Sequence, residues 1–597
     1  VPVRLLVPFV PDWRWMTGRE DSPWYPGMRL FRQERAGDWD GVLSRLRVEL
    51  AGLASGTGAG TRVLHLSEAA DSQSRAELLN DEGCALDEAG RQEEAVQRYR
   101  EAISLAPEFV APRYNMGNSL YTLGRNGEAI DCYRHVLALD PALPQAWHNL
   151  ALALKGQGAL EEAIHALKRA VAAAPDYLEA RHNLGELYHA TGALDRAEET
   201  FRAILANHTG YLPSWNALGI TLQVEGRLEE AVQCYRTALS RDPDYLHALN
   251  NLGSASRALG CMEEATACYR RVLELDPLYA DARWNLSLVE LQLGHYREGW
   301  QGYEARFQKV DPIPRPEFPA PAWDGSPLAG RTILAYAEQG FGDTFQFVRY
   351  APLLAEQGGR VLVQCQGSPI AAVLATVPGV ERVLLREDPL PRFDCHASLM
   401  SLPFLCGTEL ATVPARIPYL FADPLLAERW RPRLPAAGLR VGLVWAGRKS
   451  YKDDRKRSLS LPLFAPLAAV SGLSLCALQV GDGAEQAAHP PPGMELTDLG
   501  SGIKSFADTA AIVAQLDLVI SADTAVAHLA GGMGVPVWVL LPAACDWRWL
   551  MEREDSPWYP TARLFRQKRR GDWGEVLERV ARELASLTAQ GDKESIG

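Results

Sequence analysis

The sequence has no run of about 18 uncharged apolar residues, so it predicts no membrane-spanning helix. Its ten cysteines form no CxxC pair and no metal-type spacing, which excludes a zinc ribbon or a dithiol redox motif. They are expected as free thiols in a reducing cytosol. Positive charge is in deficit: 61 Lys and Arg against 74 Asp and Glu give a net charge of -13. That excludes the basic stripe a nucleic-acid binder needs. The opening residues, VPVRLLVPFVPDWRW, lack the basic start and unbroken apolar run of a signal peptide. What is present, 47% hydrophobic and 23% charged residues over a length of 597, predicts several globular domains in the cytoplasm.

A 34-residue phase runs through the middle of the chain. Pro107, Pro141, Pro175, Pro243 and Pro277 share it, with Thr209 in the vacant slot. Small residues keep it at Gly83, Gly117, Ala151, Gly185, Gly219, Gly253 and Ser287, and again at Ala95, Ala129, Ala163, Ala197, Ala231, Ala265 and Gly299. A bulky residue follows at Tyr99, Tyr133, Leu167, Phe201, Tyr235, Tyr269 and Tyr303. Small residues let two antiparallel helices approach, the bulky residue is expected to fill the gap between one hairpin and the next, and proline ends the second helix. The pattern resembles the tetratricopeptide repeat, over about seven units in residues 76–313. Such hairpins stack into an α superhelix with a concave face.

Asparagine keeps the same phase at Asn115, Asn149, Asn183, Asn251 and Asn285, on the first helix of each hairpin. Asp81 takes the slot in the first unit, and Ala217 takes it in the fifth, beside Asn216. Asparagine is a mediocre helix former, and its amide donates and accepts at once. The array resembles the repeat domain of eukaryotic O-GlcNAc transferase, where such a ladder holds the acceptor polypeptide. Two readings stand: the amides bind an acceptor polypeptide, or they bond neighbouring repeats on a solvated groove.

After a proline-rich connector at 314–330 the period changes. Short apolar runs at 332–337, 360–365, 440–445, 473–479, 517–521 and 535–541 alternate with helical stretches. This predicts α/β structure with largely parallel strands, in halves at 331–435 and 436–590.

Three segments carry chemistry. EQGFGDTFQF at 338–347 follows the first strand, with Gly340 and Gly342 at a tight turn and Asp343 expected as the helix N-cap. WAGRKSYKDDRKRSLSL at 445–461 concentrates Arg448, Lys449, Lys452, Arg455, Lys456 and Arg457 at a strand's C-terminal end, where α/β ligands bind. A diphosphate suits it, and so does the plain reading as a solvated loop. In DLVISADTAVAHLAGGMGVPVWVLL at 517–541, Asp523 and Thr524 open a helix after a buried strand and His528 follows one turn on; its free amides make an anion site.

The last segment resembles the donor site of bacterial ADP-heptose heptosyltransferases, whose pattern is D-[S/T]-G-x-x-H-x-A, with Ala525 here in place of the glycine. Residues 331–590 resemble a two-Rossmann GT-B glycosyltransferase of that kind, fused to tetratricopeptide repeats as in some bacterial proteins. The resemblance implies inverting transfer from a nucleotide-sugar without a metal or other cofactor; no D-x-D occurs in residues 330–590. It implies Asp343 as the base taking the acceptor proton, and donor contacts from Gly447, Lys449, Arg457, Gln479, Asp523, Thr524, Ala525 and His528. His528 reads equally as a satisfied buried histidine. His396, in FDCHASLMSLPF, is a weaker acceptor-side candidate.

Residues 1–54 repeat 535–588 without a gap. That predicts a truncated copy of a transferase tail, in a piece of a longer tandem protein, joined by a linker at 55–75; a docking role for the extra tail is the other reading. Residues 591–597 are a short terminal tail. In the tail, Arg548 and Trp558 are candidates to touch donor or acceptor. The leading expectation is sugar transfer to a hydroxyl of a polypeptide held by the repeats. An envelope or lipid-linked glycan as acceptor, and a non-catalytic repeat scaffold, are the alternatives.

Overall fold

The computed structural model describes residues 3–7, 28–33, 35, 38–55, 68–450 and 454–594. The first-copy DWRW and SPWYP motifs, most of the linker, Lys452 and Asp453 lie outside the described residues. The chain divides into two compact units, Val1–Pro141 and Ala142–Gly597, with the division inside the repeats.

In the first unit, strands β1 (Val3–Val7) and β2 (Met28–Arg32) pair in parallel from Val3↔Met28. The helix Trp39–Ser55 follows. In the second unit the corresponding strands pair from Val537↔Ala562, each 534 residues on, so the duplicated sequence keeps its strand register. Two hairpins complete the first unit: Glu68–Glu88 with Gln92–Leu105, and Val110–Thr122 with Asn126–Leu139.

Five more hairpins begin the second unit, their first helices starting at Pro144, Leu178, Leu212, Leu246 and Ala280. In each hairpin of the array the inter-helix turn carries a glycine at positive φ, from Gly90 through Gly124, Gly158, Gly192, Gly226 and Gly260 to Gly294. This left-handed position costs a Cβ-bearing residue about 1–2 kcal/mol. It is a further 34-residue signal that the proline and aromatic phases do not contain. The expected place of the aromatics needs correcting. A Cβ on Gly83, Gly117, Gly185, Gly219 or Gly253 would lie 2.4–2.7 Å from the ring of Tyr99, Tyr133, Phe201, Tyr235 or Tyr269. The ring therefore fills space left by the glycine of its own hairpin.

Two parallel sheets follow. The first has the order β5-β4-β3-β6, from β3 (Thr332–Tyr336), β4 (Arg360–Cys365), β5 (Val380–Leu385) and β6 (Cys395–Ser398). The second has the order β12-β11-β10-β7-β8-β9, from β7 (Leu439–Val444), β8 (Leu473–Ala477), β9 (Leu496–Asp498), β10 (Leu518–Ala522), β11 (Val537–Leu541) and β12 (Ala562–Arg566). Counted in chain order within each half these are 3-2-1-4 and 3-2-1-4-5-6, the doubly wound arrangement. Buried residues alternate between two cores along the second sheet. Val441, Leu443, Leu518 and Ile520 face the helix Trp573–Glu594 at Val576, Leu577 and Val580. Val444, Val519, Val537 and Val539 face the larger core.

That larger core also takes in the last hairpin. Tyr296, Trp300 and Tyr303 pack with Trp547 and Trp558. Trp558 Nε1 donates to Tyr296 Oη at 3.0 Å, and Gln292 Nε2 donates to the Cys545 carbonyl at 3.1 Å. The connector adds Trp323 to the same core. The junction between the last hairpin and the α/β region is thus a packed seam. Trp558, fully buried here, belongs to that seam and is not placed to touch a substrate. No helix among the described residues is long and apolar enough to cross a membrane, and all ten cysteines are free thiols.

Candidate active site

In doubly wound sheets, ligands sit beyond the strand C-termini where the order reverses. In the second sheet that point lies between β7 and β10. The basic loop follows β7 and the Asp523–His528 segment follows β10, so the strand order brings these two segments to one place.

Thr524 is the N-cap of the helix Ala525–Gly532, its hydroxyl accepting from Val526 N at 3.3 Å. Asp523 stands just before it and is largely buried. Burial, with the neighbouring Asp546 carboxylate, pushes the Asp523 carboxyl up to about 6, against the pull of Arg457. His528 is buried, stacks on Trp549 at 5.4 Å and bonds Tyr559 Oη through Nδ1 at 2.9 Å. Burial, reinforced by Arg548, Arg349 and Arg457, holds its pKa well below the ordinary imidazole value, so it is neutral. Its Nε2 lies 3.8 Å from Asp523 Oδ1.

Asp343 arrives from the first half. It is the third residue of the helix Phe341–Phe347 rather than the expected N-cap: Gly340 caps, and Gly340 N donates to Asp343 Oδ2 at 2.8 Å. A Cβ on Gly342 would sit 2.9 Å from His528 Cδ2 and 3.5 Å from Ala525 Cα. The G-x-G-D turn and the Asp523–His528 helix therefore meet at backbone range, and glycine is what lets them.

The residue joining these parts is Arg548. Its Nη2 pairs with Asp343 Oδ1, its Nη1 donates to Asp546 Oδ1 at 2.7 Å, and its Nε donates to Gln346 Oε1 at 2.8 Å. Burial raises the pKa of Asp343 while Arg548 pulls it down; the net direction is up. Arg349 ties the halves beneath the site, donating to the Trp558 carbonyl at 2.5 Å and to Tyr419 Oη at 2.8 Å. Nothing in the sequence marks Arg349 or Tyr559; both act through tertiary neighbours.

In the basic loop, Asp454 is buried and accepts from Ser458 Oγ at 2.8 Å, while Arg457 Nε lies 3.4 Å from it. A Cβ on Gly447 would strike Asp454 Oδ1 at 2.4 Å, so Gly447 makes room for this internal pair. The Lys449 side chain is exposed and its backbone N donates to Asp482 at 2.8 Å. Gln479 needs correcting as a donor contact. Its Oε1 accepts from Trp445 N and Ala446 N, both at 3.0 Å, and its Nε2 donates to the Ala446 and Asp482 carbonyls at 2.9 and 2.8 Å. That exhausts a glutamine amide, and Gln479 shapes the turn after β7.

His396 also needs correcting. It is buried on β6 against Phe318 of the connector, at 4.8 Å, and Tyr336, at 6.0 Å. No hydrogen bond among the described residues links it to the Asp343 group.

The ladder amides make bonds between repeats. The amide nitrogens of Asn115, Asn251 and Asn285 donate to Asn80, Asn216 and Asn250 at 3.0, 2.8 and 3.0 Å, each 35 residues back. Asn183 reaches His148 Nε2 at 2.7 Å. Asn149 is engaged as well. All five side chains remain only half-buried.

Family profiles described as tetratricopeptide repeat match residues 85–124, 117–158, 154–218, 213–245, 246–277 and 262–298. Protein FlbA of Caulobacter vibrioides is 31% identical over 326 residues, covering 50% of this chain and 54% of FlbA. The chain thus spans about half the length of that curated relative. Among solved structures, MamA is 24% identical over 28% of this chain and 93% of its own, with a TM-score of 0.27. YrrB, described as a tetratricopeptide-repeat protein with an unusual peptide-binding site, is 20% identical over 31% of this chain and 95% of its own, with a TM-score of 0.27. The array of helical hairpins consists of tetratricopeptide repeats.

Proposed function

We propose that residues 331–590 form a GT-B glycosyltransferase that moves a sugar from a nucleotide-sugar to a hydroxyl of a polypeptide presented by the repeats. The observation that carries this reading is the meeting of three segments at one switch point. The helix Ala525–Gly532 turns its N-terminal end, the positive end of its dipole, toward a diphosphate. Arg457 and Lys449 offset charge on the leaving nucleotide. Asp343, poised by Arg548 and raised by burial, takes the proton of the attacking hydroxyl. The O–H bond breaks as the new C–O bond forms, and the nucleoside diphosphate leaves with the electrons of the old C–O bond.

The test is a thermal-shift screen of nucleotide-sugars on the whole chain, followed by mass spectrometry of co-expressed proteins. A bound donor and a sugar added to protein support the reading. A folded protein that binds no nucleotide-sugar would instead favour a repeat scaffold with an inactive transferase domain. Transfer to glycan but never to protein would favour the envelope-glycan acceptor.

A further inference from the structure

The asparagine ladder is interrupted once within the second unit, at Ala217 between Asn183 and Asn251. A cavity of about 280 Å³ opens there, lined by Lys155, Glu186, His189, Phe201, Ala217 and Ile220. Residues three or four positions apart share a helix face. Glu186 stands so relative to Asn183, and Ile220 relative to Ala217, while His189 follows Glu186 by three positions and Lys155 follows Asn149 by six. Three successive first helices thus line the cavity, and the ladder-slot residue Ala217 is among its walls.

Its polar walls are already satisfied. Lys155 Nζ lies 3.4 Å from Glu186 Oε2. His189 Nδ1 bonds Thr221 Oγ1 at 3.2 Å. Beside it, His182 Nδ1 bonds Ser214 Oγ at 3.1 Å. The floor of Phe201, Ala217 and Ile220 is apolar. A paired cation and anion on the rim attract no net charge, and the floor rewards removal of a hydrocarbon from water.

We infer that this cavity is a side-chain pocket of the polypeptide groove, taking one apolar side chain of an extended acceptor at the rung that lacks an amide. The inference rests on the polypeptide-acceptor part of the proposed function, and adds to it a sequence preference. Neighbouring helices pack about 8–10 Å apart and an extended chain rises about 3.3 Å per residue. One rung thus spans about three acceptor residues, and a single apolar residue is read without its immediate neighbours.

The probe is a fluorescein-labelled dodecapeptide of serine, threonine and glycine with one central leucine, compared with its glycine counterpart by fluorescence anisotropy on the whole chain. Burial of a leucine side chain predicts at least about tenfold tighter binding of the leucine peptide. Ala217→Asn puts the ladder amide back and fills the pocket. It is expected to abolish the preference while leaving the glycine peptide bound equally or more tightly. Every other rung of the second unit tolerates asparagine, and circular dichroism confirms folding. Ile220→Gln, at a half-exposed position, serves as the second variant, with the same expected loss of preference. A preference that survives both variants, or equal binding of the two peptides by the unmodified chain, overturns the pocket but not the groove. Absence of any peptide binding overturns both the groove and the pocket, while leaving sugar transfer to other acceptors open to the donor screen.

Discussion

Asp343 and Asp523 are both carboxylates with raised pKa values, but their circumstances differ. Asp343 has a guanidinium on one oxygen and a backbone amide on the other. Replacing it with alanine is expected to lower single-turnover transfer by about 10²–10⁴-fold with little change in donor affinity; unaltered turnover would remove it from the reaction. Asp523 sits at about 6 in the folded protein against an ordinary value of 3.8. The folded state therefore holds the proton more tightly than the unfolded one. Between about pH 4 and 6 the native state binds more protons, so stability from this group falls as pH rises, and above 6 the cost is complete. Asp523→Asn should accordingly be more stable than the unmodified protein at pH 7.5, by on the order of 3 kcal/mol, and the gain should vanish near pH 4. Thermal unfolding across that range checks it. A constant difference at all pH values would show that the carboxylate's charge is not the cause.

At the scale of helices and strands, glycine has two distinct uses that substitution separates. Gly219 carries no side chain because the Tyr235 ring lies where a Cβ would be, at 2.5 Å. Gly226 faces open space but has φ of +87°. Each glycine-to-alanine change should lower stability by about 1–3 kcal/mol, and Tyr235→Leu should rescue part of the first loss but none of the second. Both uses leave a trace in the sequence as a fixed period, which is why the hairpins are legible there almost residue by residue. The strands are legible only where they are apolar. β3, β4, β7, β8, β10 and β11 read directly, whereas β5 (VERVLL) and β12 (ARLFR) carry charged residues on a partly solvated face and β6 and β9 are short. The site is legible in its motifs, since the turn after β3 and the segment after β10 are local. Arg349 and Tyr559 are not, because what defines them is a neighbour distant in sequence and adjacent only in space, and Arg548, a candidate in the sequence, finds its carboxylate partner Asp343 only through the fold.

For the second unit as a whole, the decisive feature is the seam between the last hairpin and the α/β domain. Arg306 is fully buried there, with Nε 2.6 Å from Glu338 Oε1 and Nη1 2.6 Å from Glu304 Oε1. Glu338 is also held by Ser398 Oγ at 2.7 Å. Removing one partner leaves a buried charge, so Arg306→Met should cost about 3–5 kcal/mol in thermal unfolding. Adding Glu338→Gln should recover part of that loss; a double variant as unstable as the sum of the singles would deny the coupling. Glu338 begins the turn that carries Asp343, and Gln339 Nε2 donates to Tyr303 Oη at 3.1 Å. The hairpin that ends the array is thus bolted to the turn that would do the chemistry. A polypeptide lying along the last hairpins would meet a reaction centre that does not swivel. Position along the acceptor, measured in rungs from a bound side chain, would then decide which hydroxyl is modified, as a bench stop decides where a saw cuts.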